Sequence, residues 1–227
     1  RLPRWMGPGR LLRLARRLAR LRLIGQIKER KDGDSFQFVQ TRGLLPNVFF
    51  VRQVWMQHRE VAAKLGALPQ LKPAIMDEAR RWLSERVPDA RQRPVVFVHV
   101  RRGDYLAYPT REHPAVLSLS WYRLAMQKMR ESLHDPCFVM LSDDPYYLRD
   151  VFEASDSLVI SENSPAVDLA ICMLCGHGIL SASSFAWWAA YNIHRAALER
   201  ESNCAPDHRP IFFAPVFWAG CRMRDWY

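Results

Sequence analysis

Residues 94–105 read PVVFVHVRRGDY. From Val95 to Val100 only His99 interrupts an apolar, β-branched run too short for a helix, so this is a strand buried on both faces, the kind found in a parallel sheet. Outward from it, short apolar runs recur at Cys137–Leu141, Leu158–Ile160, Gly178–Ser181 and Pro210–Phe213. Helical patterns separate them, around Trp121–Leu133, Pro145–Phe152, Pro165–Cys175 and Phe185–Ala197. Strand and helix alternate about five times, which predicts an α/β fold with a parallel sheet covered by helices on both faces. Ligands of such sheets bind at the carboxyl ends of the strands.

At the end of the first strand stand Arg101, Arg102, Gly103 and Asp104, with His99 two residues before Arg101 and directed inward. A planar guanidinium takes two phosphate oxygens in parallel and keeps its charge at any relevant pH, so two arginines here suit a diphosphate leaving group. The second strand ends in Ser142-Asp143-Asp144. Asp144, just before Pro145, suits the start of the next helix, and Asp143 a guanine edge or a ribose hydroxyl. A divalent ion is the alternative use of the two carboxylates, although adjacent Asp side chains diverge and no third ligand is identifiable.

The composition sits within the range of globular proteins, with 49% hydrophobic, 25% charged and 11% aromatic residues. It excludes collagen-like, mucin-like and linker chains. No run of about 18 apolar residues spans a bilayer. The net charge of +10 divides unevenly: residues 1–30 hold 10 basic side chains and Glu29, leaving 23 basic and 22 acidic for the rest. Without a basic face on the body, nucleic acid is not an expected partner. Residues 1–30 form a basic amphipathic tail, Arg10, Arg13, Arg17 and Arg20 facing one way and Leu11, Leu14, Leu18 and Leu21 the other. It reads either as a membrane-adsorbing or partner-docking helix or as a solvated surface helix. Residues 31–93, broken by Pro46, Pro69, Pro73 and Pro88, read as mostly helical, with Trp55 and Trp82 as core anchors. The odd count of 5 cysteines leaves a thiol without an internal partner. Cys172 and Cys175 have the spacing of a redox or zinc half-site, but their apolar helical setting favours buried thiols. A chain that starts at Arg1 reads as a fragment or a processed form.

Three motifs in order carry a resemblance. HVRRGDY at 99–105, FVMLSDD at 138–144 and the stretch from Asp168 through Cys175, His177, Ser183, Ser184, Trp187 and Trp188 together resemble the α-1,2-fucosyltransferases of glycosyltransferase family 11. The resemblance covers roughly residues 95–227. It implies a GT-B type architecture: a carboxyl-terminal Rossmann-like domain at 94–227 that binds GDP-fucose, and before it a partial, mostly helical remnant of the acceptor-side domain at 31–93. It implies GDP-fucose as donor substrate, a galactoside glycan as acceptor, transfer to the 2-hydroxyl with inversion, and neither metal nor cofactor. The GGLGNQ-type segment that opens the family's first domain does not occur here.

By the same resemblance Arg101 and Arg102 hold the diphosphate, His99 and Asp143 lie near the nucleoside, and Ser183 and Ser184 meet phosphate where a helix begins. Asp104 is the nearest carboxylate for a general base. Trp187 and Trp188 read as a sugar platform or, inside an apolar helix, as core, and His177 as a core histidine at a strand start. The family's animal members sit in the Golgi membrane facing the lumen, and its bacterial members are cytoplasmic. Membrane association would then run through residues before Arg1 or through the basic helix.

Overall fold

The computed structural model describes residues 8–32, 35–52, 71–108, 110–112, 114–155, 157–201 and 209–216. They fall into two compact units, one within residues 8–52 and one within 71–216.

The larger unit is built on a five-stranded sheet of β4 (Val95–Val100), β5 (Cys137–Ser142), β6 (Leu158–Ile160), β7 (His177–Ile179) and β8 (Phe212–Phe213). Their order is β6-β5-β4-β7-β8, and every neighbouring pair is parallel. The chain thus builds outward from β4 to β6, then returns to the other side of β4 for β7 and β8. That reversal makes the crevice beside β4 the topological switch point of a Rossmann-like sheet.

Strand periodicity divides the core. Val95, Phe97, Cys137, Val139 and Leu141 pack beneath α2 (Pro73–Arg86), α5 (Pro165–Leu174) and α6 (Ser184–Glu201). Their neighbours Val96, Val98, Val100, Phe138 and Met140 pack against α3 (Leu119–Ser132) and α4 (Pro145–Val151). Close packing leaves no room at Gly178, where a Cβ would collide with the Phe97 ring. The α/β alternation read from the sequence is therefore the observed one, with strand and helix ends shifted by a few residues.

The helical reading of residues 31–93 needs correction over residues 31–52, while residues 53–70 lie outside the described residues. β1 (Ile24–Asp32), β2 (Ser35–Thr41) and β3 (Leu45–Arg52) form a sheet of order β2-β1-β3, antiparallel on one side and parallel on the other. Ser35-Phe36-Gln37-Phe38 alternates polar and apolar residues, and with Val39 following it the stretch is rich in aromatic and β-branched residues, a pattern that fits a strand and not a helix. Helix α2, which lies in that stretch, sends Ala79 and Leu83, followed by Val87 just past its end, into the same core as Ile171 and Ala170 of α5, so it belongs with the larger unit.

The tail of residues 1–30 is likewise divided. α1 (Pro8–Arg20) is helical as expected, but the chain after it enters β1. The helix buries Ala19, with Leu11, Ala15 and Leu18 partly covered, while Leu14 and Leu21 are exposed. Its covered stripe is thus rotated from the expected Leu11, Leu14, Leu18 and Leu21 face, because the small Ala15 and Ala19 let the helix approach its sheet. Trp82 packs against the core of the larger unit. Trp55, Cys204 and Cys221 lie outside the described residues. Cys137, Cys172 and Cys175 are buried thiols, and burial drives the thiol pKa of Cys172 and Cys175 well upward.

Candidate active site

A cleft of about 360 Å³ opens at the carboxyl ends of β4, β5 and β6. His99, Arg101, Asp143, Asn163, Asp168 and Phe185 are among the residues that line it.

His99 forms its inner wall. The ring is buried, its Nδ1 is 2.7 Å from Ser181 Oγ, and it stacks on Phe185 at 4.9 Å between centroids. Burial, with the Arg101 charge beside it, lowers its pKa to about 3, so the imidazole is neutral.

Residues that leave a strand in succession point to opposite faces, and this parity separates the two arginines. Arg101 follows His99 into the cleft. Its Nε and one terminal nitrogen donate to Asp104 Oδ1 at 3.1 and 2.6 Å, and the other terminal nitrogen lies 3.0 Å from Asp143 Oδ2. Arg102 follows Val100 toward α4. Its Nε donates to Asp144 Oδ2 at 3.1 Å, and its guanidinium carbon sits 3.5 Å above the centre of the Tyr147 ring. The pair read as a two-arginine clamp is therefore divided: Arg101 lines the cleft, and Arg102 is held against α4.

The same parity separates the carboxylates. Asp144 caps α4, its Oδ1 accepting from the Tyr147 N–H at 3.1 Å, the role expected of it. Asp143 lines the cleft and accepts the Arg102 backbone N–H on Oδ1 at 2.9 Å. It thereby joins the ends of β4 and β5. A Cβ on Gly103 would collide with this carboxylate, which explains the glycine. Asp104, the candidate base, is exposed and grips Arg101.

Ser183 is buried, and its Oγ accepts the Phe185 N–H at 3.3 Å at the start of α6; Ser184 is the exposed first residue of that helix. The Tyr105 hydroxyl donates to Ala182 O at 2.6 Å, which ties this loop to the 3-10 turn Gly103–Leu106. Trp187 is buried and stacks on Tyr191 at 5.1 Å, which supports core packing over a sugar platform. His177 Nδ1 accepts the Ile211 N–H at 3.1 Å at the start of β7, a structural role.

One cluster went unread in the sequence. Asp168, on the first turn of α5, is buried and accepts a 2.6 Å hydrogen bond from Ser161 Oγ, which itself accepts from Asn163 Nδ2 at 2.9 Å. Burial raises the Asp168 pKa to about 6 against the lowering effect of the serine. Ser161-Glu162-Asn163 directly follows β6, so the strand-end rule applied to the third strand would have found it. Among the described residues, no group of three or more His, Cys, Asp or Glu side chains is arranged to hold a metal ion.

Comparison with known proteins places the chain among glycosyltransferases. A galactoside 2-alpha-L-fucosyltransferase SEC1 of Bos taurus is 31% identical over 144 residues, covering 60% of this chain and 39% of the relative. A galactoside alpha-(1,2)-fucosyltransferase 1 of Oryctolagus cuniculus is 36% identical over 146 residues, with the same 60% and 39% coverage. Its counterpart in Saimiri boliviensis boliviensis is 38% identical over 108 residues, covering 45% of this chain and 30% of the relative. The chain thus spans between 30% and 39% of the length of these relatives. A solved structure of POFUT1 in complex with GDP is similar at a TM-score of 0.43 and 16% identity, covering 70% of this chain and 51% of that one. The family model for glycosyl transferase family 11 matches residues 59–199, more than half of the chain, and the chain belongs to that family.

Proposed function

We propose that this chain carries the donor-binding part of an inverting α-1,2-fucosyltransferase, which moves L-fucose from GDP-fucose to the 2-hydroxyl of a terminal galactoside. The observation that carries this reading is Arg101, fixed between Asp104 and Asp143 at the end of the central strand and lining the cleft. Family membership and the names of the relatives support it.

The donor's chemistry maps onto the cleft as follows. The guanine base lies along the apolar wall of His99 and Phe185. The Asp168 carboxylate accepts from the base's N–H edge, where adenine would present a lone pair instead. Arg101 meets the diphosphate from a position already set by two carboxylates, so little reorganisation is needed as charge develops. Arg102 supports the same loop through Asp144 and Tyr147. The Ser183 and Ser184 turn offers helix-start N–H groups to phosphate.

In the reaction the acceptor oxygen attacks the anomeric carbon and the bond from that carbon to the diphosphate oxygen breaks, its electron pair leaving with GDP. The acceptor proton passes to a base. Asp104 binds Arg101 through Oδ1, and Oδ2 is the oxygen assigned to this proton. No metal or cofactor is required by this scheme, because the arginine neutralises the leaving group. The compartment proposed is the Golgi membrane, lumenal side, as the resemblance to the family's animal members implies; a bacterial source would make it cytoplasmic. No described helix is long and apolar enough to cross a membrane.

A second reading is a catalytically inactive nucleotide-sugar-binding domain, in which Asp104 serves only to hold Arg101. Incubation with GDP-fucose and a lactose-type acceptor, measuring released GDP beside GDP binding by calorimetry, separates the two. Acceptor-dependent GDP release supports transfer; binding without release supports the inactive domain; absence of both overturns the donor-site assignment.

A further inference from the structure

The smaller unit has a surface unrelated to the cleft. Residues 8–27 and 39–50 contain 7 arginines and no acidic side chain. Six of them, Arg13, Arg16, Arg17, Arg20, Arg22 and Arg42, are exposed. A solvated face normally mixes both signs of charge, so this concentration of one sign wants an anionic counterpart.

The same face exposes leucines. Leu14 and Leu21, seven residues apart, lie on one shoulder of the α1 turns with Arg17 between them. Leu21 continues the helix, its N–H donating to Arg17 O at 3.0 Å. Beyond it the backbone runs alongside residues 44–45: the N–H groups of Leu44 and Leu45 donate to the carbonyls of Arg22 and Leu23 at 2.8 and 2.9 Å. This pairing brings four exposed leucines to one corner of the unit, with Leu21 70% and Leu44 78% exposed and Leu23 and Leu45 beside them. Gly43 allows the approach, since a Cβ there would collide with the Ile24 backbone.

We propose that this corner docks the protein on an anionic lipid surface, with its two most exposed leucines, Leu21 and Leu44, entering the headgroup boundary and the surrounding arginines meeting lipid phosphate and carboxylate groups. Charge complementarity selects the occupant. Neutral lipid would answer the leucines alone, and a nucleic acid the arginines alone; an anionic bilayer answers both. No residue of the cleft takes part; because lipid of the phosphatidylserine type is concentrated in the cytoplasmic leaflet, docking of this kind places the smaller unit on a cytoplasmic face and is an alternative to the lumenal compartment proposed above.

The test is co-sedimentation of the 227-residue chain with vesicles of phosphatidylcholine alone or with about 30% phosphatidylserine, the range where a basic cluster senses surface potential. Binding should appear on the mixed vesicles and fall steeply between about 0.1 and 0.5 M salt. Leu21→Gln with Leu44→Gln should weaken partitioning by about tenfold or more, by removing two apolar insertions. Arg17→Glu with Arg20→Glu should weaken it by at least about 25-fold, at roughly fivefold per basic group. Arg17→Lys with Arg20→Lys should bind as the parent does, and circular dichroism of each variant shows whether the fold is kept. Equal binding to both vesicle types, no binding to either, or full binding by a folded leucine variant would overturn the proposal. Capture by heparin or RNA without vesicle binding would make the corner a polyanion surface instead.

Discussion

His99 Nδ1 and Ser181 Oγ lie 2.7 Å apart across the point where the sheet order reverses between β4 and β7. A neutral buried imidazole hydrogen-bonded to a buried hydroxyl thus seals the floor of the cleft. The Phe185 ring stacked on it adds the apolar wall. Charging this histidine would place a cation in a buried position beside Arg101.

Stability should therefore respond to acid through His99. Its folded-state pKa of about 3 lies below the unfolded value of 6.5, so its contribution is present above pH 6.5 and lost as pH falls toward 3. Between pH 7 and 4.5 the loss is about 2.5 kcal/mol by linkage. Urea unfolding at the two pH values should show a smaller acid loss in His99→Gln than in the parent, by roughly that amount. Equal acid losses would mean that the imidazole is not held neutral.

Nucleotide recognition should depend on Asp168 with a different pH window. Its pKa is raised to about 6, so folding itself favours the protonated form and this contribution is lost as pH rises from about 4 to 6. The ionised form is the one that accepts from guanine, and GDP affinity should fall about tenfold from pH 7 to pH 5 as the carboxylate is protonated. Asp168→Asn should flatten that profile and narrow the preference for GDP over ADP. Calorimetric titration at both pH values checks it, and an unchanged GDP preference in the variant would remove Asp168 from the base site.

Arg101→Lys retains one charge but loses the planar fork that Asp104 and Asp143 hold. Transfer should slow by about two to three orders of magnitude, the scale of losing one preorganised donor at a developing anion. The unfolding midpoint should change little, since the side chain is partly solvent-exposed. Steady-state GDP release decides the matter, and near-parent turnover would remove Arg101 from the diphosphate clamp.

Turnover in excess EDTA should match turnover with added Mg²⁺ or Mn²⁺ within about twofold, well under the tenfold that 1.4 kcal/mol of transition-state stabilisation gives. The carboxylates nearest the diphosphate position, Asp104 and Asp143, are engaged with Arg101 and the Arg102 backbone. A metal would have to displace those contacts. Loss of activity in EDTA, restored by Mn²⁺, would return Asp143 and Asp144 to the role of metal ligands.

The core sheet and the strand ends that carry the cleft are legible in the residues alone. Val95–Val100 is apolar on both faces, a local property that only a central parallel strand satisfies, and Asp144 before Pro145 marks a helix start whatever surrounds it. The amino-terminal sheet was also written locally, in the alternation of Ser35-Phe36-Gln37-Phe38, but the prolines nearby drew the reading toward broken helices. Which neighbours face each other is set instead by packing across the sheet. Arg101 and Arg102 look equivalent in a string of letters, yet strand parity sends one toward His99 and the other onto Tyr147. Asp168 gains its raised pKa from burial beside Ser161, and no sequence window shows that this carboxylate lines one cleft with His99 and Arg101. A side chain's partners across the sheet depend on crossovers between distant segments, and those are set by how the whole core packs.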